Sequence, residues 1–192
     1  MKRQLFYGKE DDSSILYQGN NLILDGVSKY IDTGITLFDT NKDFTVLLVY
    51  TSNNISGSYT TIFENIIDKL PYYGIVLDQP ENDHNFGRAV CGRMGVNAIP
   101  HNKTMYNTKH CCVLMKKGLN IKLFTDDKYP DGIQFDNMTP FIYNKTVLLG
   151  AHRFIDDKIG RFWKGVIHFC NIYSVSFSDS YIKDLMNRYM EK

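Results

Sequence analysis

Short runs of Val, Ile, Tyr, Phe and Thr, separated by Gly, Asn, Asp and Pro at spacings of about 8 to 15 residues, dominate the chain. The best of these runs lie at 21–26, 29–35, 44–51, 60–64, 73–77, 86–91, 110–116, 120–125, 146–151 and 165–173. Parallel pairing needs a crossover of a dozen or more residues, usually a helix, between consecutive strands. Only one segment has helical spacing. Ser178 caps it, Asp179 complements its dipole, and Ile182, Leu185, Met186 and Tyr189 recur on one face. A βαβ nucleotide-binding unit is therefore excluded, and the pattern predicts an antiparallel sandwich closed by a helix over 179–190. The expected core contains Val46, Leu48, Ile62, Ile75, Leu114, Leu123, Leu148, Ile167 and Ile172. Lys117-Gly118-Leu119 joins two of the runs, and Gly118 can take positive φ there, which makes this the strongest hairpin signal.

Composition agrees with one folded domain. The 192 residues are 43% hydrophobic and 22% charged, with 13 Tyr, 12 Phe and one Trp, and the net charge is +1. Such near-neutrality lacks the clustered Lys and Arg that displace counterions from nucleic acid, so nucleic acid is not the expected partner. The longest apolar run, Val46 to Tyr50, falls far short of the roughly 20 residues of a membrane span, so no membrane insertion is expected. Residues 1–14 form a polar arm, and 15–192 are expected to make one domain. The arm reaches charge before any apolar signal region forms, so no signal peptide is read in it. Cys91, Cys111, Cys112 and Cys170 contain no C-x-x-C pair and read as reduced core thiols.

Toward the C-terminus the stretches Leu148-Leu149-Gly150-Ala151, Gly160-Arg161-Phe162-Trp163-Lys164-Gly165-Val166-Ile167, Asn171-Ile172-Tyr173 and Phe177-Ser178-Asp179 follow one another in a recognisable order. That order resembles the C-terminal signature of laminin G-like, concanavalin A-like jelly-roll domains. Lys29 to Ile35, followed by Asp43-Phe44-Thr45-Val46, is similar to the opening strands of the same family, so the resemblance spans about residues 21–188. The fold it implies is all-β: a two-sheet antiparallel jelly-roll β-sandwich with a short C-terminal helix. It also implies a glycan-binding face or loop rim, sometimes with calcium, and gives Trp163 a structural place. Many relatives carry an acidic pair after the Ile of the last strand, where this chain has His168 and Phe169, so no role of that pair carries over.

Chemistry is sparse. Glucanase relatives space three carboxylates along one strand, whereas this chain has four Glu, at 10, 64, 81 and 191, and no i, i+2 carboxylate pair in an expected strand. No enzyme is expected. Asp126, Asp127, Asp131, Asp156 and Asp157 lie in turns and suit either calcium or plain solvation; no other cofactor is read. Sugar recognition needs aromatic faces beside planar or charged hydrogen-bonding groups, and two places offer them. One is the rim of Tyr72, Tyr73, Asn82, His84, Asn85 and Arg88; the other is His152 with Arg153. The expectation is a non-catalytic carbohydrate-binding and adhesion module for a cell-surface glycan. The alternative is a purely structural module that assembles with copies of itself or with other virion proteins. Asn, Ile, Lys and Tyr richness fits an AT-rich genome, and similar domains recur in phage tail, baseplate and adhesin proteins, so a virion or extracellular location is expected.

Overall fold

The strand β3 (Phe44–Ser52) is buried at every residue except Thr51. Its even positions Val46, Leu48 and Tyr50 enter the main hydrophobic cluster, while Leu47 and Val49 enter a second cluster on the other side. Side chains alternate between the faces of a strand, so a continuous apolar run must be covered twice. A second sheet covers one face. A C-terminal helix, α1 (Asp179–Met190), covers the other through Ile182 and Met186.

The computed structural model describes residues 14–38, 42–53, 60–67, 69, 73–79, 88–89, 107–126, 129–135 and 141–191. Besides β3, the strands are β1 (Ile15–Asp25), β2 (Ile31–Asp32), β4 (Thr60–Ile67), β5 (Tyr73–Gln79), β6 (Arg88–Ala89), β7 (Lys109–Lys117), β8 (Asn120–Thr125), β9 (Ile133–Phe135), β10 (Leu148–Leu149), β11 (His152–Arg153), β12 (Ile159–Gly160) and β13 (Lys164–Tyr173). A six-stranded sheet has the order β1-β13-β3-β7-β8-β9, a five-stranded sheet the order β2-β10-β4-β5-β6, and β11 and β12 form a small ribbon. The ladders between named strands are antiparallel, and the two sheets make a jelly-roll β-sandwich with one short terminal helix, as the sequence reading expects.

Eight of the nine expected core residues lie in the main cluster; Leu148 is equally buried but faces the other way, and Leu149 takes the inward place. In a strand this short, alternation cannot be phased from sequence. β1 begins six residues before the expected run because Tyr17 to Asn20 find ladder partners in Ile172 to Phe169 of β13. The hairpin is as expected, with Gly118 at φ +58 between β7 and β8. Asp43 ties it to the helix approach, accepting from Gly118 N–H at 2.7 Å and from Ser176 Oγ at 3.1 Å. At Gly74, φ is +133 and a Cβ would sit 2.3 Å from the Asn65 carbonyl, so β4 and β5 approach closely only because that residue has none.

Trp163 is fully buried and donates from Nε1 to Ser52 Oγ at 3.3 Å. Cys111, Cys112 and Cys170 are free, buried thiols, and burial pushes the Cys111 and Cys170 thiols up, away from the reactive thiolate; Cys91 lies outside the described residues. Among the described residues no helix is long and apolar enough to cross a membrane. Of the expected N-terminal arm only Ser14 is described, and its carbonyl accepts from Ser174 N–H at 2.8 Å.

Two outcomes follow for stability. Ile182→Ala opens a cavity between helix and sheet and lowers unfolding free energy by about 2–4 kcal/mol, whereas Ile155→Ala at an exposed turn changes it by less than about 0.5 kcal/mol, both read by denaturant titration. His168, whose Nε2 lies 2.8 Å from Thr51 Oγ1, has its pKa held below 6.5 by burial and then by the charge of Lys109. The unfolded chain therefore takes up this proton first, and stability falls as pH drops below about 6.5. His168→Gln, which keeps a hydrogen-bonding group there, flattens that slope in melts between pH 7 and pH 5.

Candidate functional site

Residues directly opposite in an antiparallel ladder share a face. Leu148 of β10 faces Asp32 of β2 and Glu64 of β4, and Glu64 faces Val76 of β5, so these four form a row across the outer face of the five-stranded sheet. Val76 packs there with Ile66. Two residues along β5, Asp78 accepts from Thr61 Oγ1 at 2.7 Å, and the ladder sets Arg88 of β6 opposite it. The face thus carries three carboxylates, two of them buried: Glu64 is 0% and Asp78 5% exposed.

The charge facing Asp32 is Arg153, on the ribbon strand β11. Its Nη1 donates to the Thr146 carbonyl at 2.9 Å, its Nη2 to Thr146 Oγ1 at 3.3 Å, and Nη2 lies 3.5 Å from Asp32 Oδ2. Its charge also acts on the Tyr143 phenol. Burial, and then the negative charge of Glu64, push the Tyr143 phenol up to about 12, while Arg153 works in the opposite sense. The segment before β10 is fastened to the sheet by Asn65 Nδ2 donating to the Lys145 carbonyl at 2.9 Å, and to the ribbon turn by Lys145 Nζ at 2.8 Å from Asp157 Oδ1. Beside these polar groups stand two exposed isoleucines, Ile142 at 71% and Ile155 at 64%. The ribbon itself is stiffened by a stack: Arg161 lies 5.3 Å over the Phe154 ring, which meets His152 edge-on at 5.1 Å. Arg161 does this from a left-handed backbone, φ +50.

Of the eight residues that the sequence nominates, Tyr72, Asn82, His84 and Asn85 lie outside the described residues. Tyr73 packs at the sandwich edge with its ring 5.4 Å from Phe141. Arg88 takes a place in β6, at one edge of the five-stranded sheet. Arg153 reaches Asp32 of β2, at the other edge. Four strand spacings separate those edges, roughly 19 Å, so the two halves of the nominated site are not one contact point. His152 is 2% exposed and supports Phe154 from below, while Arg153 at 9% keeps a narrow opening to solvent. Sequence reasoning misses Asp32, Glu64, Tyr143 and Thr146, because more than a hundred residues separate Asp32 from its partner and no local motif joins them.

Of the aspartates considered for calcium, Asp127 lies outside the described residues, and the other four already have partners within the protein. Asp126 pairs with His110 at 3.2 Å and accepts from Cys111 N–H; Asp131 pairs with Lys183, Asp156 with Lys158, and Asp157 with Lys145. Among the described residues no group of three or more His, Cys, Asp or Glu side chains is placed to hold a metal.

No protein-family model and no curated protein matches the sequence. Solved structures do match. The carbohydrate-binding module (CBM40) of the Ruminococcus gnavus IT-sialidase, solved bound to alpha2,3 sialyllactose, superposes over 90% of this chain and 98% of its own with TM-score 0.69 at 11% identity. Its fold is that of this chain. A Trypanosoma rangeli sialidase in complex with sialic acid matches over 89% of this chain and 28% of its own, with TM-score 0.68 at 14% identity. At such identities the likeness is one of fold.

The Tyr143 environment is directly measurable. Glu64→Gln removes the nearby negative charge, so the Tyr143 phenol ionises below its value of about 12, read from its ring-carbon NMR shift against pH.

Proposed function

We propose that this chain is a non-catalytic carbohydrate-binding module for acidic glycans, sialic-acid-terminated chains being the first candidates. The observation that carries the reading is the whole-length match to a module solved with sialyllactose, in a chain whose own outer sheet rim holds a pinned guanidinium. Arg153 suits a carboxylate, because its fork donates to two oxygens at once. Ile142 and Ile155 suit an acetamido methyl or the apolar face of a pyranose, and Lys145 and Tyr143 suit hydroxyls. A longer glycan running across the sheet would extend from Arg153 toward β5 and β6.

One small site of this kind binds weakly, with a Kd of about 10 μM to 1 mM, since a few hydrogen bonds leave little surplus over desolvation. Useful adhesion then comes from several copies, and display on a phage tail, baseplate or cell-surface protein would supply them. A second reading, an assembly module, draws on Ile23 at 72% exposure in β1 and Val27 at 73% just after it.

Calorimetry distinguishes the two. Sialyllactose binds in the range above, lactose at least about tenfold more weakly, and Arg153→Lys, checked for normal melting, loses at least about tenfold because an ammonium cannot make the fork. A folded chain that binds nothing on a glycan array, or binds equally after Arg153→Lys, overturns this site and favours assembly.

A further inference from the structure

We propose that Asp32 is an internal competitor for the anion position at Arg153, so that the site admits carboxylate-bearing ligands only to the extent that they displace it. The inference rests on the glycan-binding reading for the identity of the ligand, but not for the behaviour of the site. Arg153 is held from behind by Thr146, through the carbonyl at 2.9 Å and Oγ1 at 3.3 Å. Asp32 faces the remaining edge of Nη2 at 3.5 Å. A charge-assisted N–H···O bond closes to about 2.7–2.9 Å, so this carboxylate balances the guanidinium charge without making the fork.

The reason for the loose fit is local. Asp32 Oδ1 accepts from Gly34 N–H at 3.0 Å, an Asx turn that sets where the carboxylate stands, and its other oxygen reaches toward Arg153 from there. The two partners also differ in solvation: the Arg153 side chain is 10% exposed and that of Asp32 48%. Moving Asp32 into water therefore costs little, whereas leaving Arg153 without an anion costs more. A carboxylate on a free ligand chooses its own approach and can make the two parallel bonds that Asp32 cannot. A neutral sugar gains nothing from displacing Asp32 and leaves it in place. Specificity for acidic ligands thus comes from an element that must be out-competed as well as from the attraction of Arg153.

The test uses the full chain and three ligands. Sodium acetate is titrated against the arginine side-chain 15N signals, and sialyllactose and lactose are titrated by calorimetry. Asp32→Asn keeps an oxygen for Gly34 and removes the charge. It is expected to tighten acetate and sialyllactose by about threefold to fivefold and to leave lactose unchanged, the size expected of a half-exposed ion pair. Asp156→Asn, on a neighbouring turn where Asp156 pairs with Lys158, controls for net charge and is expected to change neither. Equal acetate affinity in wild type and Asp32→Asn overturns the proposal. So does an equal gain in Asp156→Asn, or a gain that survives Arg153→Lys in the Asp32→Asn background. A gain for acetate in a chain that binds no glycan upholds the competitor and overturns the glycan-binding reading instead.

Discussion

The double burial of β3 and β7 sets the terms for the rest of the molecule. Val46, Leu48, Cys112 and Leu114 need cover on one side, and Leu47, Val49, Cys111 and Val113 on the other. At about 25 cal/mol per Å² of apolar surface, neither face can be left to water. The second sheet supplies one cover and α1 the other, with Ser178 satisfying its first turn and Lys122 clamping Asp179 at 2.6 Å. With the helix committed to the six-stranded sheet, the outer face of the five-stranded sheet receives the acidic row and its arginine.

That outer face is first an electrostatic problem. Glu64 is buried between Leu148 and Val76 of the flanking strands, and its charge is felt by the phenol of Tyr143. Charges removed from water need partners and hydrogen bonds, and here the partners come from four separate stretches: β2, β4, the segment before β10, and β11. Such a network orders the rim in advance. A pre-ordered guanidinium loses little freedom on binding, which favours a small site on a rigid ribbon over one on a long loop. The match over nearly the whole of a sialyllactose-bound module, at 11% identity, is a likeness of fold.

Much of the architecture is legible in the residues themselves. Gly118 marks its hairpin, Ser178 and the spacing of Ile182, Leu185 and Met186 mark the helix, and Trp163 reads as structural and is buried. What is not legible is short or non-local. β11 and β12 have two residues each, too few to show a period, and β10 misphases Leu148 by one position for the same reason. The clearest lesson comes from His152-Arg153. Their proximity to Phe154 and two aspartates suggests a shared rim in sequence, yet the fold turns the histidine inward against Phe154 and aims the arginine at Asp32.

The sequence by itself determined the all-β class, the position of the terminal helix, most of the core and the absence of a carboxylate pair spaced along one strand. All of these depend on periodicity and local turn chemistry, which are properties of neighbours along the chain. Only the tertiary structure decided that Asp32, Glu64, Tyr143 and Arg153 meet, because antiparallel ladders join residues far apart in sequence and a one-residue change of register moves a side chain to the opposite face.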